Sequence, residues 1–204
     1  MKSDLSEMDM WREEIEQLRI RTREVSDMDD IIAFYGSSSI RLWETLADDL
    51  VPHKVINLGF GGSSYQWCDH YFDQVFEFLN PTKVILYAGD NDLGSEIPEA
   101  VIMQHIERIL DKIQAKYGSI PMAIISVKPS PARLYLRQEI ESLNAAMSSA
   151  IGQRNHGSFI DIHPAMLDQQ GQVRPELFVE DQLHMNHLGY QIWGDVVGKH
   201  LDES

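Results

Sequence analysis

The chain has 204 residues, 43% of them apolar and 24% charged, a mixture that suits one soluble globular domain and excludes a disordered or fibrous chain. Acidic residues outnumber Lys and Arg by 32 to 17, for a formal net charge of -15. The average surface therefore repels nucleic acid and anionic membrane, and no run of Lys or Arg provides an exception.

The elements are legible in chain order. Residues 1–28 read as a helical extension, in which Trp11, Ile15 and Leu18 with Arg and Glu between them set an amphipathic helix over 11–24. Its apolar stripe fits packing on the same domain or on a second copy, which leaves a homo-oligomer open. The first strand is IIAFYG at 31–36, ended by glycine and serines that can begin a helix. Ile40, Leu42, Trp43 and Leu46 then fit a helix to about Leu50, and VINLG at 55–59 reads as a second strand. A helix at 65–79, a strand VILYAG at 84–89 and a long helix from Pro98 to Lys116 follow, the last with Ile102, Ile106, Ile109 and Ile113 on one face. MAIISV at 122–127, a helix at 134–152, SFIDI at 158–162 and a helix at 187–201 complete the pattern.

Five strands alternating with helices predict a parallel sheet covered on both faces, a three-layer α/β/α fold in one domain over 1–204. No stretch reaches the ~20 apolar residues of a membrane span and no signal-like run opens the chain, so the expectation is a cytoplasmic protein without stable membrane insertion. Cys68 is the only cysteine, which excludes an intramolecular disulfide and a cysteine-rich metal site, and its place in a helix suggests packing.

Functional residues of such a sheet gather in the loops at the carboxyl ends of the strands. Four loops qualify: GSSS at 36–39, GFGGSS at 59–64, GDND at 89–92 and KPSPAR at 128–133. A serine in the first could act as a nucleophile near helix N–H groups, although serine is also an ordinary N-cap. Gly62 can direct a backbone N–H into the crevice or simply turn the chain. Asn91 can donate a side-chain amide hydrogen bond, while Asp90 and Asp92 suit the turn itself. In VEDQLHMNHLGYQIW, Asp181 stands three residues before His184, close enough to hold one imidazole nitrogen and leave the other free. A solvent-exposed histidine at a helix start is the alternative. His187 next to this pair permits a partial metal site, but the spacing matches no zinc signature.

Taken together, FYGSSSIRLW, NLGFGG, YAGDND and DQLHMNHLGY, in that order, resemble the blocks of the SGNH (GDSL-type) hydrolases, nearest to a bacterial branch resembling platelet-activating-factor acetylhydrolase. The resemblance implies a serine esterase acting on a small-molecule ester, with Ser38 as nucleophile, His184 as base and Asp181 orienting it. It also implies an oxyanion hole from the N–H groups of Ser38 and Gly62 with the Asn91 amide, and no cofactor or metal. Ser37 replaces the aspartate usual before the family serine. Lys128 and Arg133 flank a loop beside the crevice, as substrate contacts or as solvated charges. Two other classes stay open: a flavodoxin-like protein holding flavin or phosphate, and a hydrolase-fold interaction domain without chemistry. An ordinary α/β-hydrolase lacks its Gly-x-Ser-x-Gly elbow here.

Overall fold

The computed structural model describes residues 11–203; the predicted extension before Trp11 lies outside the described residues. The elements run α1 (Arg12–Glu24), β1 (Ile31–Gly36), α2 (Ser38–Arg41), α3 (Leu46–Asp49), β2 (Lys54–Gly59), α4 (Tyr65–Val75) and β3 (Lys83–Tyr87). They continue with α5 (Asp90–Gly94), α6 (Glu99–Tyr117), β4 (Met122–Ile125), a 3-10 helix (Pro131–Leu136), α7 (Arg137–Gly152), β5 (Gly157–Ile160) and α8 (His187–Asp202). The five strands form one parallel sheet in the order β2-β1-β3-β4-β5, as the alternating pattern predicts.

Side chains of a strand point alternately to the two faces, and β1 feeds both layers accordingly. Ala33 and Tyr35 join a core with Ile102, Ile106 and Ile109 of α6, Phe72 of α4 and Leu143 of α7. Ile32 and Phe34 join the opposite core with Trp43, Trp193 and Val197. From α1, Ile15 and Leu18 are buried in the first core, where α1 lies against α4.

Three predicted helices differ in extent. The single helix expected from Ile40 to Leu50 is two short ones, because Asn57 Nδ2 on the edge strand takes up the carbonyls of Ile40 at 2.6 Å and Trp43 at 3.3 Å, breaking the ladder between them. The helix expected to reach 79 ends at Val75, although Phe76 and Leu79 remain buried and so carry the apolar pattern onward. The start expected at 134 is a 3-10 turn opened by Pro131, whose fixed φ suits the first helical position.

The chain leaves β1 in both directions across the sheet, so the crevice opens where the carboxyl ends of β1 and β3 diverge. Gly36 pairs in register with Gly59 on one side and Tyr87 on the other. Three of the four candidate loops therefore start at one level. Glycine is required at 36, since a Cβ there would collide with the Tyr87 carbonyl.

Candidate active site

Ser38 is the first residue of α2, and its backbone entry is set by Ser37, whose N–H donates to the Tyr87 carbonyl at 2.9 Å. Ser38 Oγ lies 3.2 Å from His184 Nε2. Behind the ring, His184 Nδ1 lies 2.6 Å from Asp181 Oδ2, a geometry that fixes the proton on Nδ1 and leaves Nε2 to face the serine. The other carboxylate oxygen of Asp181 accepts the N–H groups of Leu183 at 2.8 Å and His184 at 2.9 Å. Burial pushes the Asp181 carboxyl upward, but the hydrogen bonds from the His184 ring and the two backbone N–H groups outweigh it and hold it down to about 2.

The segment bearing Asp181 and His184 has no regular secondary structure and is held at both ends. Val179 N–H donates to the His184 carbonyl at 2.9 Å, and Asn186 caps α8 by accepting from Leu188 and Gly189. Ala132 N–H, in the KPSPAR loop, donates to the Gln182 carbonyl at 3.0 Å. Tyr190 OH reaches across to the Ser39 carbonyl at 3.0 Å, tying α8 to the helix that starts with Ser38.

Gly62 has φ +65, a left-handed conformation, and a Cβ at this position would meet nothing within 4 Å. Backbone conformation, not crowding, demands the glycine. Asn91 Nδ2 donates to the Ser63 carbonyl at 3.0 Å, so the second and third loops meet. The structure thus brings Ser38, His184 and Asp181 into one hydrogen-bonded chain and links the Asn91 loop to the Gly62 loop.

Lys128 does not face solvent. Its side chain is fully buried, in an ion pair with Asp90 Oδ2 and 3.3 Å from Tyr87 OH. Burial would raise the Asp90 carboxyl, and the Lys128 ammonium outweighs it and holds it below the usual carboxylate range. Asp92 accepts the Tyr65 N–H with its two oxygens at 3.0 and 3.2 Å, and burial pushes its carboxyl up to about 7. The sequence suggests turn residues at both positions, whereas both stand in the short helix α5; the pairing of each with a residue distant in the chain carried no local signal. Ser37 Oγ, at the position of the family aspartate, is buried without a hydrogen-bond partner among the described residues. His187 is the first residue of α8, outside the hydrogen-bonded chain. Among the described residues no group of three or more His, Cys, Asp and Glu side chains is arranged to hold a metal ion.

Strand order, loop placement and this cluster of polar side chains define the class: a three-layer α/β/α hydrolase of the SGNH type. The chain belongs to the GDSL-like Lipase/Acylhydrolase family, whose model matches residues 29–192, and it is accordingly a carboxylic ester hydrolase. Its structure is similar to one from Streptococcus pneumonia described by the words platelet activating factor, with 19% identity, a TM-score of 0.80 and coverage of 98% of this chain and 99% of that one. It is also similar to a GDSL-like lipase from Bacteroides thetaiotaomicron VPI-5482, with 20% identity, a TM-score of 0.71 and coverage of 87% and 90%. A Clostridium thermocellum family 3 carbohydrate esterase matches at 16% identity and a TM-score of 0.68 over 84% and 95%. At such identities the likeness carries the fold alone. No curated protein matches the chain. Among the described residues no helix is long and apolar enough to cross a membrane.

Proposed function

We propose that the protein is a serine esterase cleaving carboxylic esters of short acyl groups, acetate included, through an acyl-enzyme on Ser38. The observation that carries this reading is the unbroken hydrogen-bonded chain from Ser38 Oγ through His184 to Asp181.

In the first half-reaction His184 Nε2 takes the Ser38 proton as Oγ attacks the ester carbonyl. In this reading the developing oxyanion is held by the N–H groups of Ser38 and Gly62 and by the Asn91 amide. When the tetrahedral adduct collapses, the C–O bond to the alcohol breaks and His184 returns the proton to the departing oxygen. Asp181 stabilises the intervening imidazolium and remains ionised, in keeping with its depressed carboxyl. Water then repeats the sequence on the acyl-enzyme, freeing the acid and restoring Ser38. The short-acyl preference draws on an acetyl esterase and an acetyl xylan esterase among the structural neighbours.

The deciding experiment compares initial rates of p-nitrophenyl acetate hydrolysis by wild type and folded Ser38→Ala, together with labelling by a fluorophosphonate probe. A rate at least about 1000-fold lower in the variant, with labelling lost, supports the reading. Equal rates would remove Ser38 as nucleophile.

A further inference from the structure

The Gly61–Gly62 peptide joins two glycines, residues that rotate freely and permit the peptide plane to turn over. Its two polar ends belong to one rigid unit: in a trans peptide the Gly61 carbonyl and the Gly62 N–H point in opposite directions. If the plane turned over, a carbonyl oxygen would stand where an oxyanion donor is needed. What holds the plane therefore decides whether Gly62 can donate.

Two side chains of the N-terminal segment grip this peptide and the one before it. Trp11 Nε1 donates to the Gly61 carbonyl at 2.5 Å, and Glu14 Oε2 accepts the Gly61 N–H at 3.1 Å. Trp11 is itself fixed: it is 4% exposed and packs edge-on against Phe60 and at 4.9 Å against Trp67, one residue on each side of the glycine loop. The second carboxylate oxygen of Glu14 lies 3.6 Å from Arg41 Nε, on the helix that begins with Ser38. Glu14 therefore spans the two elements that supply the backbone N–H groups. Both residues precede position 29, where the family match begins.

We propose that Trp11 and Glu14 are positioning residues that lock the Gly61–Gly62 peptide with its carbonyl outward and the Gly62 N–H toward the crevice. This rests on the serine-esterase reading, in which Gly62 is an oxyanion donor. The indole N–H on the carbonyl also polarises the same peptide, strengthening its N–H as a donor. The clamp acts on the tetrahedral state and leaves ground-state binding alone, so its loss lowers kcat and not substrate affinity.

The test measures p-nitrophenyl acetate turnover and the affinity for a trifluoromethyl ketone, which forms a tetrahedral oxyanion adduct on a nucleophilic serine. Trp11→Phe keeps the aromatic packing and removes only the donor. Its kcat and its trifluoromethyl ketone affinity are expected to fall together by about tenfold, part of the roughly 100-fold to 1000-fold that complete loss of one donor costs, with KM within about twofold. Glu14→Ala is expected to behave likewise, while Glu14→Gln, which keeps an acceptor for the Gly61 N–H, recovers most of the loss. This recovery separates positioning from general destabilisation, and the Glu14 pair decides the matter if Trp11→Phe does not fold. Full kcat and ketone affinity in both Trp11→Phe and Glu14→Ala, in a protein that Ser38→Ala inactivates, would overturn the clamp alone. Wild-type turnover in Ser38→Ala would overturn the esterase reading and the clamp with it.

Discussion

The side-chain amide of Asn91 spends one of its two N–H groups on the carbonyl of Ser63, 3.0 Å away. The bond orients the amide plane and leaves one N–H uncommitted to Ser63, the one that the proposed mechanism assigns to the oxyanion. Asn91→Ala is accordingly expected to lower kcat by about 100-fold to 1000-fold with little change in KM. Asn91→Asp should do at least as much damage, because an ionised carboxylate has no proton to donate and repels both the Ser63 carbonyl and an oxyanion. Steady-state kinetics of the two variants check this. A fully active alanine variant would remove Asn91 from the donor set.

Asp181 fixes a tautomer as well as a charge. An asparagine in its place could still accept the Leu183 and His184 N–H groups through its oxygen, keeping the turn intact, but would present an NH2 to the imidazole. The ring would then carry its proton on Nε2 and could not take one from Ser38. Asp181→Asn should lose about 1000-fold to 10,000-fold in kcat at neutral pH while melting close to the wild type. A variant within tenfold of wild-type turnover would mean that the carboxylate does not set the tautomer.

The Lys128–Asp90 pair makes a separate prediction about stability. Removing one partner of a buried ion pair strands the other charge away from water, so Lys128→Met is expected to cost about 3–5 kcal/mol. Lys128→Met with Asp90→Asn leaves no buried charge, and urea unfolding should show most of that loss restored. Equal destabilisation by the single and double variants would contradict the assignment of the loss to an unpaired Asp90.

Much of this arrangement was legible in the sequence because it rests on short-range pattern. Apolar runs of five or six residues ending in glycine mark β1, β2 and β3, and their loops must open at one end of a parallel sheet. Asp181 and His184 are three residues apart, so their contact follows from the turn between them. The ties among loops were not legible. Nothing near Lys128 predicts Asp90 as its partner, and nothing near Trp11 predicts the Gly61 carbonyl, since these pairs are 38 and 50 residues apart and depend on the sheet order. The same holds for Asn57, whose amide breaks the helix that Ile40 to Leu50 would otherwise make.

Asp92 gives the last prediction, a pH dependence of stability. Its carboxyl is raised from 3.8 to about 7, first by burial and further by the neighbouring Asp90 charge, against the opposing effect of the Tyr65 N–H. A raised carboxyl favours the protonated folded state, so the associated stability is fully present below the unfolded value of 3.8 and is lost as pH rises through about 7. Asp181, held down to about 2, works in the opposite sense, but its contribution is complete well below pH 5. His163 and His200, both held below the ordinary imidazole value by burial, contribute to the interval from pH 5 to 8 in wild type and variant alike, so the difference between the two proteins isolates Asp92. Asp92→Asn keeps an oxygen for the Tyr65 N–H and cannot ionise. Relative to wild type, it should gain roughly 2–3 kcal/mol between pH 5 and pH 8, read from urea midpoints at the two pH values. A wild-type-to-variant difference that stays constant over that interval would show that Asp92 does not change its charge there.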